Sequence, residues 1–382
     1  MSRKFRVIVV FGTRPEAVKL APVIESLRTV NHFEVTVVVT AQHREMLDQV
    51  LETFRIIPDI DLNLMQNNQS IAHFTALAVQ KLDAIYASTS PDLVLVQGDT
   101  SSVVAASLSA FYRRIHVGHV EAGLRTFNLS SPWPEEGNRK VTTQVTALHF
   151  APTETNRSNL IKEGVTPERI HVTGSTSVDA LHIIRKNLQL MRPLLTEVSE
   201  EELAAGNIVL ITAHRRESFG EGFKNICQGI RVLAARYPNM LFVYPVHMNP
   251  CVRDIVAKEL GGTAYENVRL IRPLSYVEFV RVMLRSKLVL TDSGGVQEEG
   301  PSLGIPVFIM RDTTERPEAI DSGCSRLVGT NPEKIVREVS NAIDNNEVYR
   351  RMVLSNNPYG DGKAAERITT ACANFLFEEF VS

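Results

Sequence analysis

Charged side chains gather directly after short apolar runs in this 382-residue sequence, and their types suit anion binding and proton transfer. The run Arg6–Phe11 leads into Gly12-Thr13-Arg14-Pro15-Glu16. Thr13 and Glu16 fit a capping box, with Pro15 in the first turn of the helix it opens. A helix start alone does not account for Arg14, whose guanidinium, with Lys19 a turn further along, suits a diphosphate. The second and third glycines of GxGxxG are missing, so a dinucleotide pyrophosphate is disfavoured here. Asp99 lies in Gln97-Gly98-Asp99-Thr100, after Leu93–Gln97, and reads as a helix cap or as a site carboxylate. Glu121 follows Ile115–Val120 and reads as a site carboxylate or as the partner of Arg125 in a loop-ordering ion pair. Glu135 follows Ser131-Pro132-Trp133-Pro134, where the prolines stiffen the approach; an acidic helix start is the plainer alternative.

The second half repeats the arrangement. His214 stands with Arg215, Arg216 and Glu217 after Ile208–Thr212, and His247 follows Leu241–Val246. Asp292-Ser293-Gly294-Gly295 turns a strand into a helix N-terminus, where backbone N–H groups and the helix dipole can cradle a phosphate. Glu299, about a turn into that helix, could accept both hydroxyls of a ribose. The dense charge of Arg311–Glu318 suggests anion contacts. HExxH, P-loop and GxSxG motifs are missing, and the two histidines have no carboxylate at metal-ligand spacing. No required metal is expected.

These motifs need elements to position them. Continuous apolar strands alternate with helical stretches at Arg6–Phe11, Val35–Thr40, Leu93–Gln97, Ile115–Val120, Leu148–Ala151 and Arg169–Val172. The alternation restarts at Ile208–Thr212, Leu241–Val246, Val268–Ile271, Leu288–Thr291 and Val307–Met310, and closes with a helix from about Lys363 to Phe380. Such runs imply parallel sheets covered on both faces, hence an α/β fold of two Rossmann-like domains in tandem. The pattern breaks at Met191–Gly206, which reads as the connection between them. Ligands in such sheets sit beyond the carboxyl ends of the strands, so the expected site is a cleft faced by both domains.

Composition agrees with that class: 44% hydrophobic and 22% charged residues with a net charge of -2. Near-neutral charge gives no support for a nucleic-acid or anionic-membrane partner. The 4 cysteines form no CxxC pair and read as free thiols of a reducing compartment. The run Val7–Phe11 is too short for a secretory leader, and no stretch approaches the roughly 20 apolar residues of a membrane span. A cytoplasmic protein is expected.

Taken together the motifs resemble those of the non-hydrolysing UDP-N-acetylglucosamine 2-epimerases, from Gly12-Thr13-Arg14-Pro15-Glu16 to Asn357-Pro358-Tyr359-Gly360-Asp361-Gly362. The shared stretches include Ala41-Gln42-His43-Arg44, Gly98-Asp99-Thr100, Val120–Arg125, Pro132–Glu136, His214–Glu217 and Asp292–Gly295. The resemblance implies the glycosyltransferase-B architecture: domains 1–176 and 177–362, with helix 363–382 returning to the first. It implies elimination of UDP to 2-acetamidoglucal and re-addition with the opposite configuration at C2. By the same resemblance Asp99, Glu121, Glu135 and His214 are catalytic. Arg14, Lys19, Leu274, Phe279, Ser293, Gly294, Gly295, Glu299 and Arg316 would bind substrate, and Gln42, His43 and Arg215 would serve regulation by UDP-N-acetylglucosamine. No cofactor is implied, since the route has no redox intermediate. A homodimer serving a bacterial surface polysaccharide is the expected setting. The alternatives are a 2-epimerase of a UDP-diacetamido-uronic acid and a UDP-sugar glycosyltransferase of the same architecture.

Overall fold

Val-, Ile- and Leu-rich runs with no polar alternation can be satisfied only where both faces of a sheet are covered. The computed structural model of the chain, which describes residues 4–41, 44–66, 69–191, 195–262 and 265–381, places them so. It divides into two units, Met1–Ile183 with Tyr359–Ser382, and Ile184–Pro358.

The first unit holds a seven-stranded parallel sheet, β1 (Phe5–Phe11), β2 (Phe33–Val39), β3 (Ile60–Asp61), β4 (Leu93–Gln97), β5 (His116–Val120), β6 (Leu148–Ala151) and β7 (Ile170–Val172), in the order β3-β2-β1-β4-β5-β6-β7. Ile8, Val10, Val38, Val94, Val96 and Val117 form the core on one face, against Phe74, Ala78, Leu82 and Tyr86 of helix Ile71–Thr89. The second unit holds six parallel strands, β8 (Ile208–Thr212), β9 (Leu241–Pro245), β10 (Val268–Ile271), β11 (Ser286–Thr291), β12 (Val307–Ile309) and β13 (Ser325–Leu327), in the order β10-β9-β8-β11-β12-β13. In each unit the strand order reverses once: between β1 and β4, and between β8 and β11. At such a point successive connections run to opposite faces and leave a crevice beyond the strand ends. The segments after β1, β4, β8 and β11 carry Arg14, Asp99, His214 and Ser293.

Two strands escape the sequence pattern. β3 is only Ile60–Asp61, and β13, Ser-Arg-Leu, lacks an apolar run. The boundaries between units also differ from those read in the sequence. The chain passes from one unit to the other inside the helix Thr176–Met191, between Ile183 and Ile184, and returns between Pro358 and Tyr359, rather than at 176/177 and 362/363. Val178, Ala180 and Leu181 are buried, and Ser175 N donates to Tyr359 O (2.8 Å), so the first unit keeps the start of that helix and Tyr359. The stretch expected to be a linker is partly helical: Glu200–Ala205 form a helix opened by Ser199, whose Oγ accepts from Glu202 N (3.2 Å). Residues 192–194 of that stretch lie outside the described residues.

The last helix, Ala364–Val381, belongs to the first unit. Asp179 accepts from its first N–H groups, Ala364 (3.2 Å) and Ala365 (2.8 Å). Further along, Thr369 Oγ1 donates to Ser26 Oγ (2.8 Å), and Phe377 meets Phe5 edge to face with ring centroids 5.1 Å apart. No described helix is long and apolar enough to cross a membrane.

Leu376 on that helix is fully buried. Leu376→Ala is expected to destabilise the protein by about 2–5 kcal/mol through lost burial and a residual cavity, read as a fall in the urea midpoint.

Candidate active site

In the first unit the crevice is built from three turns. Glu16 reaches back over the start of helix Arg14–Thr29 as a capping box predicts, and Oε2 accepts from Thr13 N (2.8 Å) and Gly12 N (3.1 Å). It does more than cap. Its other oxygen accepts from Thr100 Oγ1 (2.8 Å), which joins the turn after β1 to the turn after β4. Burial raises its pKa to about 7 despite these hydrogen bonds, which favour the anion.

Asp99 extends from the β4 turn, where Arg139 Nη2 donates to Oδ2 (2.6 Å). Arg139 is itself buried and uses Nη1 to hold Glu136 Oε2 (3.0 Å). Glu136 is fully buried and accepts from Thr126 N (3.1 Å) and Phe127 N (3.0 Å), which fixes the loop before helix Glu135–Val145. Glu121 follows the adjacent strand β5, with a backbone φ of 64°. A left-handed conformation at a non-glycine residue costs on the order of 1 kcal/mol, so its surroundings must hold it. They do: Lys19 forms an ion pair with Glu121 Oε2, and Gln97 Nε2 donates to the same oxygen (2.8 Å). The alternative pairing with Arg125 does not occur. Arg125 bonds Glu163 through Nη2 (2.7 Å) and Nε (3.0 Å). Gly123 (φ 91°) lets the loop pass helix Glu154–Lys162, where an added Cβ would stand 2.3 Å from Asn156 O. Glu135 opens its helix half-buried. Arg14 is half-buried at the first position of its own helix.

In the second unit Asp292 is the organising group. It is fully buried, and Oδ2 accepts from His214 N (2.6 Å) and Arg215 N (2.7 Å), tying the β8 turn to the β11 turn. His214 Nδ1 lies 3.3 Å from Asp292 Oδ1, and the imidazole stacks on His247 with centroids 5.5 Å apart. Ser293 stands at the N-cap position of helix Gly294–Ser302 without a side-chain capping hydrogen bond, and Gly294 and Gly295 are the first residues of that helix. Arg316 crosses beside them: a Cβ at Gly294 would sit 2.7 Å from Arg316 Nη1. Its guanidinium is gripped by buried Glu298 and Glu315. Glu315 also binds Arg311 Nη1 (2.9 Å), while Arg311 Nε reaches Glu217 (2.6 Å) beside the β8 turn. Glu299 Oε1 accepts from Tyr276 OH (2.9 Å). Leu274 and Phe279 are buried at and within helix Tyr276–Met283.

In the first unit Lys19 meets Glu121, and Arg14 and Asp99 stand on the two turns that Glu16 joins through Thr100; in the second, Asp292 holds the His214 turn next to Ser293, Arg316 lies beside Gly294, and Tyr276 links the helix of Phe279 to Glu299. Lys19 and Arg316, read as phosphate contacts, both carry carboxylate partners within their units. Of the predicted regulatory residues, Gln42 and His43 lie outside the described residues, while Arg215 N is held by Asp292 and its Nε is buried without a hydrogen bond. Sequence reading missed Gln97, His119, Asn138, Arg139, Glu298 and Glu315. The available signal was Arg139, a cation four positions after an acidic helix start. Among the described residues no group of His, Cys, Asp and Glu side chains is arranged to hold a metal ion.

The family model described as UDP-N-acetylglucosamine 2-epimerase matches residues 25–373. A UDP-N-acetylglucosamine 2-epimerase of Salmonella typhimurium is 51% identical over 97% of this chain and 99% of its own. One from Escherichia coli strain K12 is 50% identical over 97% and 98%. The crystal structure of the Neisseria meningitidis UDP-GlcNAc 2-epimerase bound to UDP-GlcNAc superposes with a TM-score of 0.90 at 46% identity, covering 97% of this chain and 100% of that one.

Two titrating groups give the first crevice opposite pH signatures. Burial pushes His119 down to about 4, below its ordinary 6.5, so the unfolded chain takes the proton first. The stability of the neutral ring is therefore lost as pH falls from about 6.5 toward about 4. Glu16, raised from 4.5 to about 7, has the other sign: its contribution is lost as pH rises through that window. Urea denaturation of His119→Gln between these pH limits is expected to show a shallower rise of stability with pH, by at most about 1.4 kcal/mol per pH unit.

Proposed function

Because this chain belongs to the UDP-N-acetylglucosamine 2-epimerase family, we propose that the carboxylates of its first unit carry the proton transfers while its second unit holds the nucleotide. The chain is an isomerase that interconverts UDP-N-acetylglucosamine and UDP-N-acetylmannosamine. The C2 proton is not next to a carbonyl, so its loss must accompany departure of UDP. The C1–O bond breaks with its electron pair leaving on the diphosphate, the C2–H pair becomes the C1–C2 double bond, and the proton goes to a carboxylate. Re-addition of UDP with proton delivery to the other face of C2 completes inversion. Two faces require more than one acid–base group.

The observation that carries this assignment is the pair of ion-paired carboxylates on adjacent strand ends. Asp99 is held by Arg139, and Glu121 by Lys19 and Gln97. Glu135 supplies a third carboxyl from the helix that carries Arg139. In the second unit, Ser293, Gly294 and Gly295 at a helix N-terminus suit the diphosphate, with Arg316 beside them, Glu299 for the ribose, and Leu274 and Phe279 for the base. Arg14 of the first unit joins His214 in stabilising the leaving diphosphate. Regulation by UDP-N-acetylglucosamine through Gln42, His43 and Arg215, a homodimeric state, a cytoplasmic location and service to a surface polysaccharide belong to the same reading and rest on the family resemblance. A glycosyltransferase is not favoured, since relatives about half identical over nearly the whole chain are epimerases.

Incubation with UDP-N-acetylglucosamine in D₂O is expected to give UDP-N-acetylmannosamine carrying deuterium at C2, followed by proton NMR. Asp99→Asn and Glu121→Gln should each lower kcat by roughly 10²- to 10⁴-fold while leaving UDP affinity within about tenfold. A variant that turns over at the normal rate removes its residue from the mechanism.

A further inference from the structure

We propose that His119 and Asn138 are positioning residues for Asp99, each fixing a backbone carbonyl of the Asp99 turn from a different neighbouring element. This rests on the reading of Asp99 as an acid–base group.

His119 Nε2 lies 2.7 Å from Gly98 O, and Asn138 Nδ2 donates to Asp99 O (2.8 Å). Successive carbonyls of one turn are thus held from β5 and from helix Glu135–Val145. Thr100, the next residue, is tethered to Glu16 by its hydroxyl, and Gly98 N donates to Val120 O (3.1 Å). Arg139 then takes the Asp99 side chain itself. A carboxylate on such a turn has little freedom left except rotation about its own side-chain bonds.

The state of the imidazole follows from its partner. A carbonyl only accepts, so Nε2 carries the proton and Nδ1 presents a lone pair. That Nδ1 is buried without a hydrogen bond, in a ring that is itself fully buried. An unsatisfied buried acceptor is a cost that an apolar ring of similar size would avoid. The bond to Gly98 is what the imidazole provides in exchange. The Nε2–H is a donor in the neutral ring and in the imidazolium alike, and burial holds the ring neutral down to about pH 4, so above that pH His119 acts without titrating. Asn138 has a second consequence. It lies one turn after Glu135 and directly before Arg139 on the same helix, so its bond to the Asp99 carbonyl locks the spacing between two of the proposed acid–base carboxylates.

Both contacts can be separated from general stability by a double-mutant cycle. His119→Phe and Asn138→Leu are made in the wild-type chain and in Asp99→Asn, and kcat, KM, the UDP dissociation constant and the thermal midpoint are measured. In the wild-type chain each is expected to lower kcat about 10- to 100-fold, with KM and UDP affinity changed less than about threefold. In Asp99→Asn the same substitutions should change the residual rate less than about threefold, because the group they position is already disabled. His119→Gln, which keeps an N–H donor, should recover part of the rate. Asn138 is half-buried, so Asn138→Leu decides the matter if His119→Phe does not fold. Equal losses in both backgrounds would overturn the proposal. So would wild-type rates for both variants beside a disabled Asp99→Asn, which leaves the reading of Asp99 standing. A near-normal rate for Asp99→Asn itself removes both.

Discussion

A carboxylate placed at the end of a strand buried on both faces must find partners, because an unpaired charge there costs several kcal/mol. That constraint shapes the first unit. Asp99 and Glu121 stand at the ends of neighbouring strands, and each recruits a cation from a flanking helix: Arg139 for one, Lys19 for the other. The recruited cations create further demands. Arg139 is buried, so Glu136 must be there to share it, and Glu136 in turn takes two backbone N–H groups of the preceding loop. Satisfying one charge orders the turn, the helix start and the loop together.

The second unit meets the same constraint by a chain of alternating charge. Glu217, Arg311, Glu315, Arg316 and Glu298 follow one another in contact, with all but Glu217 nearly inaccessible. Buried ion pairs are weak evidence of stability, since apolar packing often does as well. Their value here is placement. The chain ties the turn after β8 to the loop after β12 and sets the Arg316 guanidinium beside the N-terminus of helix Gly294–Ser302, where Gly294 leaves room for it. Asp292 acts similarly at closer range, collecting two successive N–H groups of the His214 turn.

The sequence by itself determined the α/β class, the tandem sheets and the segments where chemistry could sit. Apolar runs without polar alternation can be stable only as covered parallel strands, and polar turns after such runs can point only to strand ends. It also marked the capping role of Glu16, since three-residue spacing is local. What the tertiary structure alone decided was partnership. Lys19 and Glu121 are 102 positions apart, Glu16 and Thr100 84, and Asp99 and Arg139 40. Sequence left Glu121 open to pairing with nearby Arg125, and only the fold sends Arg125 to Glu163 instead. The edges of the units were hidden for the same reason: a continuous helix from Thr176 to Met191 shows no break, and which unit claims its first half depends on Ser175 meeting Tyr359. Periodicity and turn chemistry are local properties of a chain, whereas the pairing of charges depends on which strand ends the sheet order makes neighbours.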